Sequence, residues 1–288
     1  MPRISKSSLL ERMGCPFAWY CNRVLKMPGK DSLGMIVGTS FHEAEEWFQS
    51  ERMANRVHSL EECKRQCRAV FNGKVRESWK ANLLEASREQ VNEARGQVLG
   101  LVEVFHPYAL GLKPVAVEQE FSISLPGLPE WSIFGYIDAI CEAEDAPGQH
   151  VVVDYKTAAS SPYKEDGKDP KGTDERRLNY VSEVLWNPEV ACYCLGYRAL
   201  FGKREHEFMY YYAVKTKKPK VMPVRVKVTD DQIDWFLKLA VDYVRGIMTD
   251  IHERRTDGWS CSPKGCSYWD FCHGILDKPK RAGQLIVV

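Results

Sequence analysis

The segment Val151-Val152-Val153-Asp154-Tyr155-Lys156-Thr157 sets an acid and an amine two residues apart at the end of a run of valines. Three β-branched apolar residues in succession read as a buried strand. Residues i and i+2 of a strand project to the same face, so Asp154 and Lys156 stand together. Such a pair suits phosphodiester hydrolysis: the carboxylate holds Mg²⁺ or Mn²⁺, and the lysine orients the attacking water or offsets charge on the phosphorus. Asp-x-Lys is a common pattern on its own, so its company decides. On the preceding strand-like segment, Trp131–Cys141, Gly135-Tyr136-Ile137-Asp138 puts Asp138 on the face of Phe134, Tyr136 and Ile140. A carboxylate there is paired or holds a metal, or else it is a strand-end turn residue or an ion-pair partner of Lys156. Upstream, Gly38-Thr39-Ser40-Phe41-His42-Glu43-Ala44-Glu45-Glu46 places His42 and Glu46 on one helical face. That spacing permits metal or hydrogen-bond cooperation, and equally fits a surface histidine among glutamates.

The elements that must hold these residues follow from periodicity. Ser5–Leu25 reads as a helix with a Ser-rich start, broken near Pro16, and Ile36–Met53 as a second helix with Phe41, Ala44, Trp47 and Phe48 along its apolar stripe. Leu60–Leu84 and Ala86–Val104 are longer helical stretches. Pro114–Leu125 alternates and ends in a Pro126-Gly127 turn; Trp131–Cys141 and His150–Thr157 are the next strands. Ala159–Tyr180 is polar and irregular, and a gap of that length inside a domain is a functional loop or an insertion. Val181–Phe201 reads as a helix, Glu205–Lys215 and Lys220–Val228 as a hairpin, and Asp230–Arg255 as a last amphipathic helix before a Cys-rich tail.

The chain has 288 residues, 44% of them hydrophobic with 8 tryptophans, enough to bury a substantial core within a single domain. Forty basic residues against 39 acidic ones exclude a whole-molecule basic field, so binding of nucleic acid must come from local patches. Two such patches are the tip Lys215-Thr216-Lys217-Lys218-Pro219-Lys220 and the loop residues Lys164, Lys168, Lys171, Arg176 and Arg177, which are equally well read as solvated turns. No apolar run is long enough to span a membrane, and the first residues lack the apolar stretch of a signal peptide. A cytoplasmic, reducing setting is the expectation, in which the ten cysteines are thiols or metal ligands rather than disulfides.

In order and placement, Gly38-x-x-x-His42, Gly135-x-x-Asp138 and Asp154-x-Lys156 resemble the RecB-like branch of the PD-(D/E)XK nuclease superfamily. The branch also carries Gln-x-x-x-Tyr on the helix after the Asp-x-Lys strand; here Glu189-Val190-Ala191-Cys192-Tyr193 has Glu where Gln is usual. The resemblance implies an α/β fold with a restriction-endonuclease-like core, a central mixed sheet flanked by helices. It would have a helical N-terminal part (1–110), a nuclease core (111–256) and a Cys-rich tail (257–288). It implies His42, Asp138, Asp154 and the Tyr155 carbonyl as metal ligands, Lys156 as the catalytic lysine, and Tyr193 and Glu189 beside them. Glu118 and Glu120, one strand earlier, would be close to that site at best.

Cys261, Cys266 and Cys272 gather three thiols in twelve residues. Three thiolates leave a four-coordinate site one ligand short, and Cys15, followed by Pro16, is the natural fourth, with Cys21 as a substitute. Iron–sulfur members of the same branch, among them CRISPR-associated exonucleases and AddB-type helicase–nucleases, use one N-terminal cysteine, often before proline, and three near the C-terminus. The five-residue second gap matches theirs; the first gap is four residues, where two is more usual. The resemblance implies a [4Fe–4S] cluster, and the same ligands could build a Cys₄ zinc site. Cys63, Cys67, Cys192 and Cys194 read as small buried residues. The activity implied is a Mg²⁺- or Mn²⁺-dependent DNA exonuclease acting on single strands or DNA ends, with a helicase, recombination or CRISPR partner. The alternatives are a catalytically silent DNA-binding or assembly subunit of the same fold, and a zinc-stabilised interaction module.

Overall fold

The computed structural model describes residues 2–161, 182–257, 261–263 and 265–274. The basic residues named in the loop after Ala159 lie outside them. Strand β4, His150–Ala158, is the hub of a mixed sheet. It pairs antiparallel with β3, Leu128–Glu142, from Glu142↔His150 to Ala139↔Val153, and the pairing ends there. On its other edge it runs parallel to β5, Glu207–Val214, from Val151↔Glu207 to Ala158↔Val214. β5 turns into antiparallel β6, Lys220–Val226. β2, Pro114–Leu125, and the short β1, Arg3–Ser5, both pair with β3. A parallel β4–β5 pair needs a crossover, and the helix Pro188–Phe201 lies within it.

The chain groups into two compact units: Met1–Lys30, Ser124–Ile133 and Leu237–Val288 form one, Asp31–Ile123 and Phe134–Phe236 the other. In the second unit, helices α3 (Leu33–Met53), α4 (Leu60–Lys80) and α5 (Arg88–Gly111) cover one face of the sheet. Phe41, Phe48, Phe71 and Phe105 pack there with Val151, Val153, Tyr155 and Tyr211 in one core cluster. Each helix opens on a serine cap: Ser32 accepts from Met35 N, and Ser59 and Ser87 form reciprocal capping boxes with Glu62 and Gln90. The crossover helix, α6, starts at Pro188 because Asn187 caps it and proline fits the first turn; it ends where Gly202 turns left-handed at φ +63°. It therefore begins later than the Val181 start read from the sequence, and only 182–185 form a separate helical turn before it. α5 runs past Pro107 to Gly111, whereas the sequence reading stopped it at Val104.

The first unit holds α1 (Lys6–Gly14), α2 (Pro16–Trp19), a π turn at Tyr20–Val24 and a short α8 (Trp269–Cys272). Helix α7, Asp230–Met248, ends seven residues before the Arg255 expected from the sequence. Arg12 is 2% exposed yet satisfied: Nε donates to the Tyr243 carbonyl at 3.0 Å, Nη2 to the Ile251 carbonyl at 2.6 Å, and Nη1 meets His252 Nδ1 at 3.0 Å. Phe17 stacks on Phe271 at 5.9 Å, and Arg254 lies over Phe17 at 4.9 Å. Among the described residues no helix is long and apolar enough to cross a membrane.

Candidate active site

The end of the β3–β4 pairing creates the site. Asp138 and Asp154 are the next residues past the last paired position, Ala139↔Val153. With the ladder finished, the Tyr155 N–H donates to Asp138 Oδ2 at 3.1 Å. Tyr193, on α6, donates its hydroxyl to Asp138 Oδ1 at 3.2 Å, and His42 Nδ1 on α3 lies 3.3 Å from Oδ2. Asp138 is thus held from a neighbouring strand and from two helices. Burial opposes its ionisation, but contact with His42, Asp154 and Lys156 holds it below the ordinary carboxylate range.

Asp154 is 1% exposed, and neither carboxylate oxygen receives a well-directed hydrogen bond. The Lys156 ammonium stands 2.6 Å from Oδ2 and also 2.9 Å from Glu189 Oε2. Burial drives the Asp154 proton affinity well up, and Asp138 and Glu189 add to it against the opposing pull of Lys156. Burial alone would favour the neutral amine at Lys156; Asp154 and Glu189 outweigh it and keep the proton there. Glu189 in turn accepts from Tyr210 OH at 3.3 Å, and the Tyr210 ring lies 5.5 Å from Lys156 Nζ. Tyr210 was missed in the sequence. Its signal was the run Phe208-Met209-Tyr210-Tyr211-Tyr212 on a strand whose parallel register sets Tyr210 beside Asp154 and Tyr212 beside Lys156.

The structure therefore brings together His42, Asp138, Asp154, Tyr155, Lys156, Glu189 and Tyr193, all in the second unit. Glu46 belongs to the same surroundings: burial, Glu43 and Asp138 raise its pKa. Glu118 takes a left-handed φ of +46° within β2, a strained conformation for a non-glycine residue.

Among the described residues no three His, Cys, Asp or Glu side chains converge so as to hold a metal ion. The donor set still suits a hard cation. Mg²⁺ commonly takes one or two carboxylates, completing its shell with water and substrate phosphate, and a buried carboxylate lacking hydrogen bonds is what such an ion satisfies. The cysteines are all free. Cys15, Cys261, Cys266 and Cys272 belong to the first unit and are half-buried. Burial raises the Cys272 pKa, Arg254 opposes the rise, and Cys15, Cys266 and Cys261 add to it. Cys21, fully buried, is pushed up to about 12 by burial first, then by Cys272, Cys266 and Cys15. Thiols are soft donors of the kind that bind iron–sulfur or zinc, but among the described residues these do not converge as a metal-holding group. Cys63, Cys67, Cys192 and Cys194 are buried, as read.

A family model for the PD-(D/E)XK nuclease superfamily matches residues 3–273. The chain belongs to this superfamily. Its mixed sheet flanked by helices is the superfamily's architecture. No curated protein matches it in sequence. A crystal structure from Eubacterium rectale, provisionally described as an exonuclease, is 15% identical over 98% of this chain and 94% of that one, with a TM-score of 0.49. A likeness that distant carries no argument, and the superfamily assignment rests on the family model.

Proposed function

We propose that this PD-(D/E)XK protein is a Mg²⁺- or Mn²⁺-dependent exonuclease that hydrolyses phosphodiester bonds at DNA ends or in single strands. The observation that carries the reading is the buried Asp154 carboxylate, without a directed hydrogen bond, between Lys156 and the pinned carboxylate of Asp138. His42, Asp138, Asp154 and the Tyr155 carbonyl would hold the ion. His42 Nδ1 lies 3.3 Å from Asp138 Oδ2, so the two side chains adjoin. When bound, the ion supplies Lewis-acid polarisation of the scissile phosphate and lowers the pKa of a bound water.

The remaining roles belong to the chain. Tyr193 and the Tyr155 N–H fix the Asp138 carboxylate in orientation, so it meets a cation without reorganising. Lys156 remains an ammonium, which orients the attacking water and offsets charge on the phosphorus as it develops. Glu189 holds Lys156 by an ion pair and is itself held by Tyr210, so the usual glutamine is replaced by a residue that positions the lysine through charge. The thiols of the first unit would carry a structural [4Fe–4S] cluster.

Linear and circular single-stranded DNA incubated with Mn²⁺ test the reading. The parent should degrade the linear form and spare the circle, while Asp154→Ala and Lys156→Ala leave both intact. If both variants cleave like the parent, the site is wrong; cleavage of the circle removes the exonuclease. Protein purified without oxygen should be brown and lose its visible absorbance in Cys266→Ser. A colourless preparation carrying zinc replaces the cluster by a zinc site.

A further inference from the structure

Between α4 and α5, both in the second unit, lies a cavity of about 370 Å³ that has no part in the site above. Trp79, Arg76, Arg88 and Arg95 line it, with Asn72 and Asn92, and the lining contains no carboxylate. Arg95 is fixed by side-chain carbonyls: Nε donates to Asn72 at 2.9 Å and Nη1 to Asn92 at 3.0 Å. Arg76 and Arg88 make no hydrogen bond or ion pair among the described residues, and Trp79, 39% exposed, stacks on no ring there. Three guanidinium groups around one opening repel one another unless an anion enters. A phosphate alone would have no use for the indole, and an uncharged ring none for three arginines. A nucleic-acid strand supplies both, and only a single strand exposes base faces for stacking.

The cavity is linked to the strands that carry the site. Gly100 lies five residues beyond Arg95, about 7.5 Å further along α5. Pro219 packs closely against it: a Cβ at Gly100 would sit 3.3 Å from Pro219 Cγ. Pro219 belongs to the β5–β6 turn with Lys217 and Lys218, and Lys215 Nζ at the start of that turn is 3.5 Å from Thr157 Oγ1, one residue past Lys156.

We propose that the α4–α5 cavity is a holding site for single-stranded DNA, in which Trp79 stacks a base and Arg76, Arg88 and Arg95 take the adjoining phosphates. That the held strand is the one to be cut rests on the nuclease reading above; the binding does not.

The test pairs two measurements. Binding of a labelled oligodeoxythymidine is followed by fluorescence anisotropy in EDTA, which stops cleavage, and hydrolysis of bis(p-nitrophenyl) phosphate with Mn²⁺ reports the cleavage site alone. Trp79→Ala and Arg76→Ala/Arg88→Ala should each weaken oligonucleotide binding about tenfold, with small-ester hydrolysis unchanged. Trp79→Phe should retain most of the affinity, because a flat ring remains. The double arginine variant should lower the slope of log affinity against log salt by about 1.4, two contacts at about 0.7 each for a single strand. Parental affinity in both variants overturns the proposal. Displacement of the oligonucleotide by polyglutamate, with Trp79→Ala binding like the parent, overturns it in favour of an acidic protein partner. If the parent leaves the small ester intact while the variants still lose oligonucleotide affinity, the nuclease reading falls and the holding site stands.

Discussion

At the scale of single residues, the site is a balance of charges enclosed by tyrosines. Asp154→Asn keeps the shape and removes a buried charge that receives no directed hydrogen bond. We expect it to abolish cleavage while leaving the thermal midpoint equal to or above that of the parent, as when a residue strained for function is neutralised. A midpoint lowered by more than a few degrees would show the carboxylate to be structural. Glu189 separates two roles. Glu189→Gln can still accept from Tyr210 and should keep activity within a few-fold, whereas Glu189→Ala releases Lys156 and should cost about 100-fold in kcat. Single-turnover rates on linear DNA distinguish the two. In the sequence Asp154 and Lys156 were legible because an apolar strand fixed the face they share. The bond from the Tyr155 N–H to Asp138 was not, since it depends on where two strands stop pairing, and no residue type announces that.

The elements place these side chains through two close approaches. A Cβ at Gly196 of α6 would fall 2.6 Å from the ring of Phe121 on β2, and one at Gly38 of α3 would fall 3.1 Å from Thr157 Oγ1 on β4. Glycine lets both helices come near enough for Tyr193 and His42 to reach Asp138. Gly196→Ala should therefore destabilise by about 1–3 kcal/mol and lower activity, while Gly38→Ala, opposed only by one hydroxyl, should cost less; denaturant midpoints rank the two. Equal midpoints would mean that the Phe121 ring moves aside freely. Helices and strands longer than a few turns or pairs were readable from their periods. β1 escaped because three residues contain no period. α6 was started too early although Asn187-Pro188 carries a capping signature, because the apolar residues before it continued the pattern.

Over the whole molecule, pH dependence should reflect a buried acid far from solvent. Glu45 on α3 is fully buried and desolvation raises its pKa to about 8, against 4.5 when exposed; its Oε2 has no hydrogen-bond partner. The folded state holds this proton where the unfolded chain releases it. Its contribution to stability is therefore complete below about pH 4.5 and is lost as pH rises to about 8, an effect of a few kcal/mol. Glu45→Gln should flatten that part of the stability–pH curve, measured by denaturation at pH 5 and pH 8, and an unchanged slope would assign the effect elsewhere. Composition gave no hint of this, because near-equal acidic and basic totals conceal a carboxyl placed inside the core.

The first unit is assembled from three separated stretches, Met1–Lys30, Ser124–Ile133 and Leu237–Val288. On the ribosome, Cys15 emerges long before Cys261, Cys266 and Cys272, whereas every residue of the second unit has been synthesised by Phe236. The residues of the candidate site can thus find their places during synthesis. The cysteine set cannot be complete until Cys272 has been made, so a cluster held by these thiols would load only after every residue of the second unit has been synthesised.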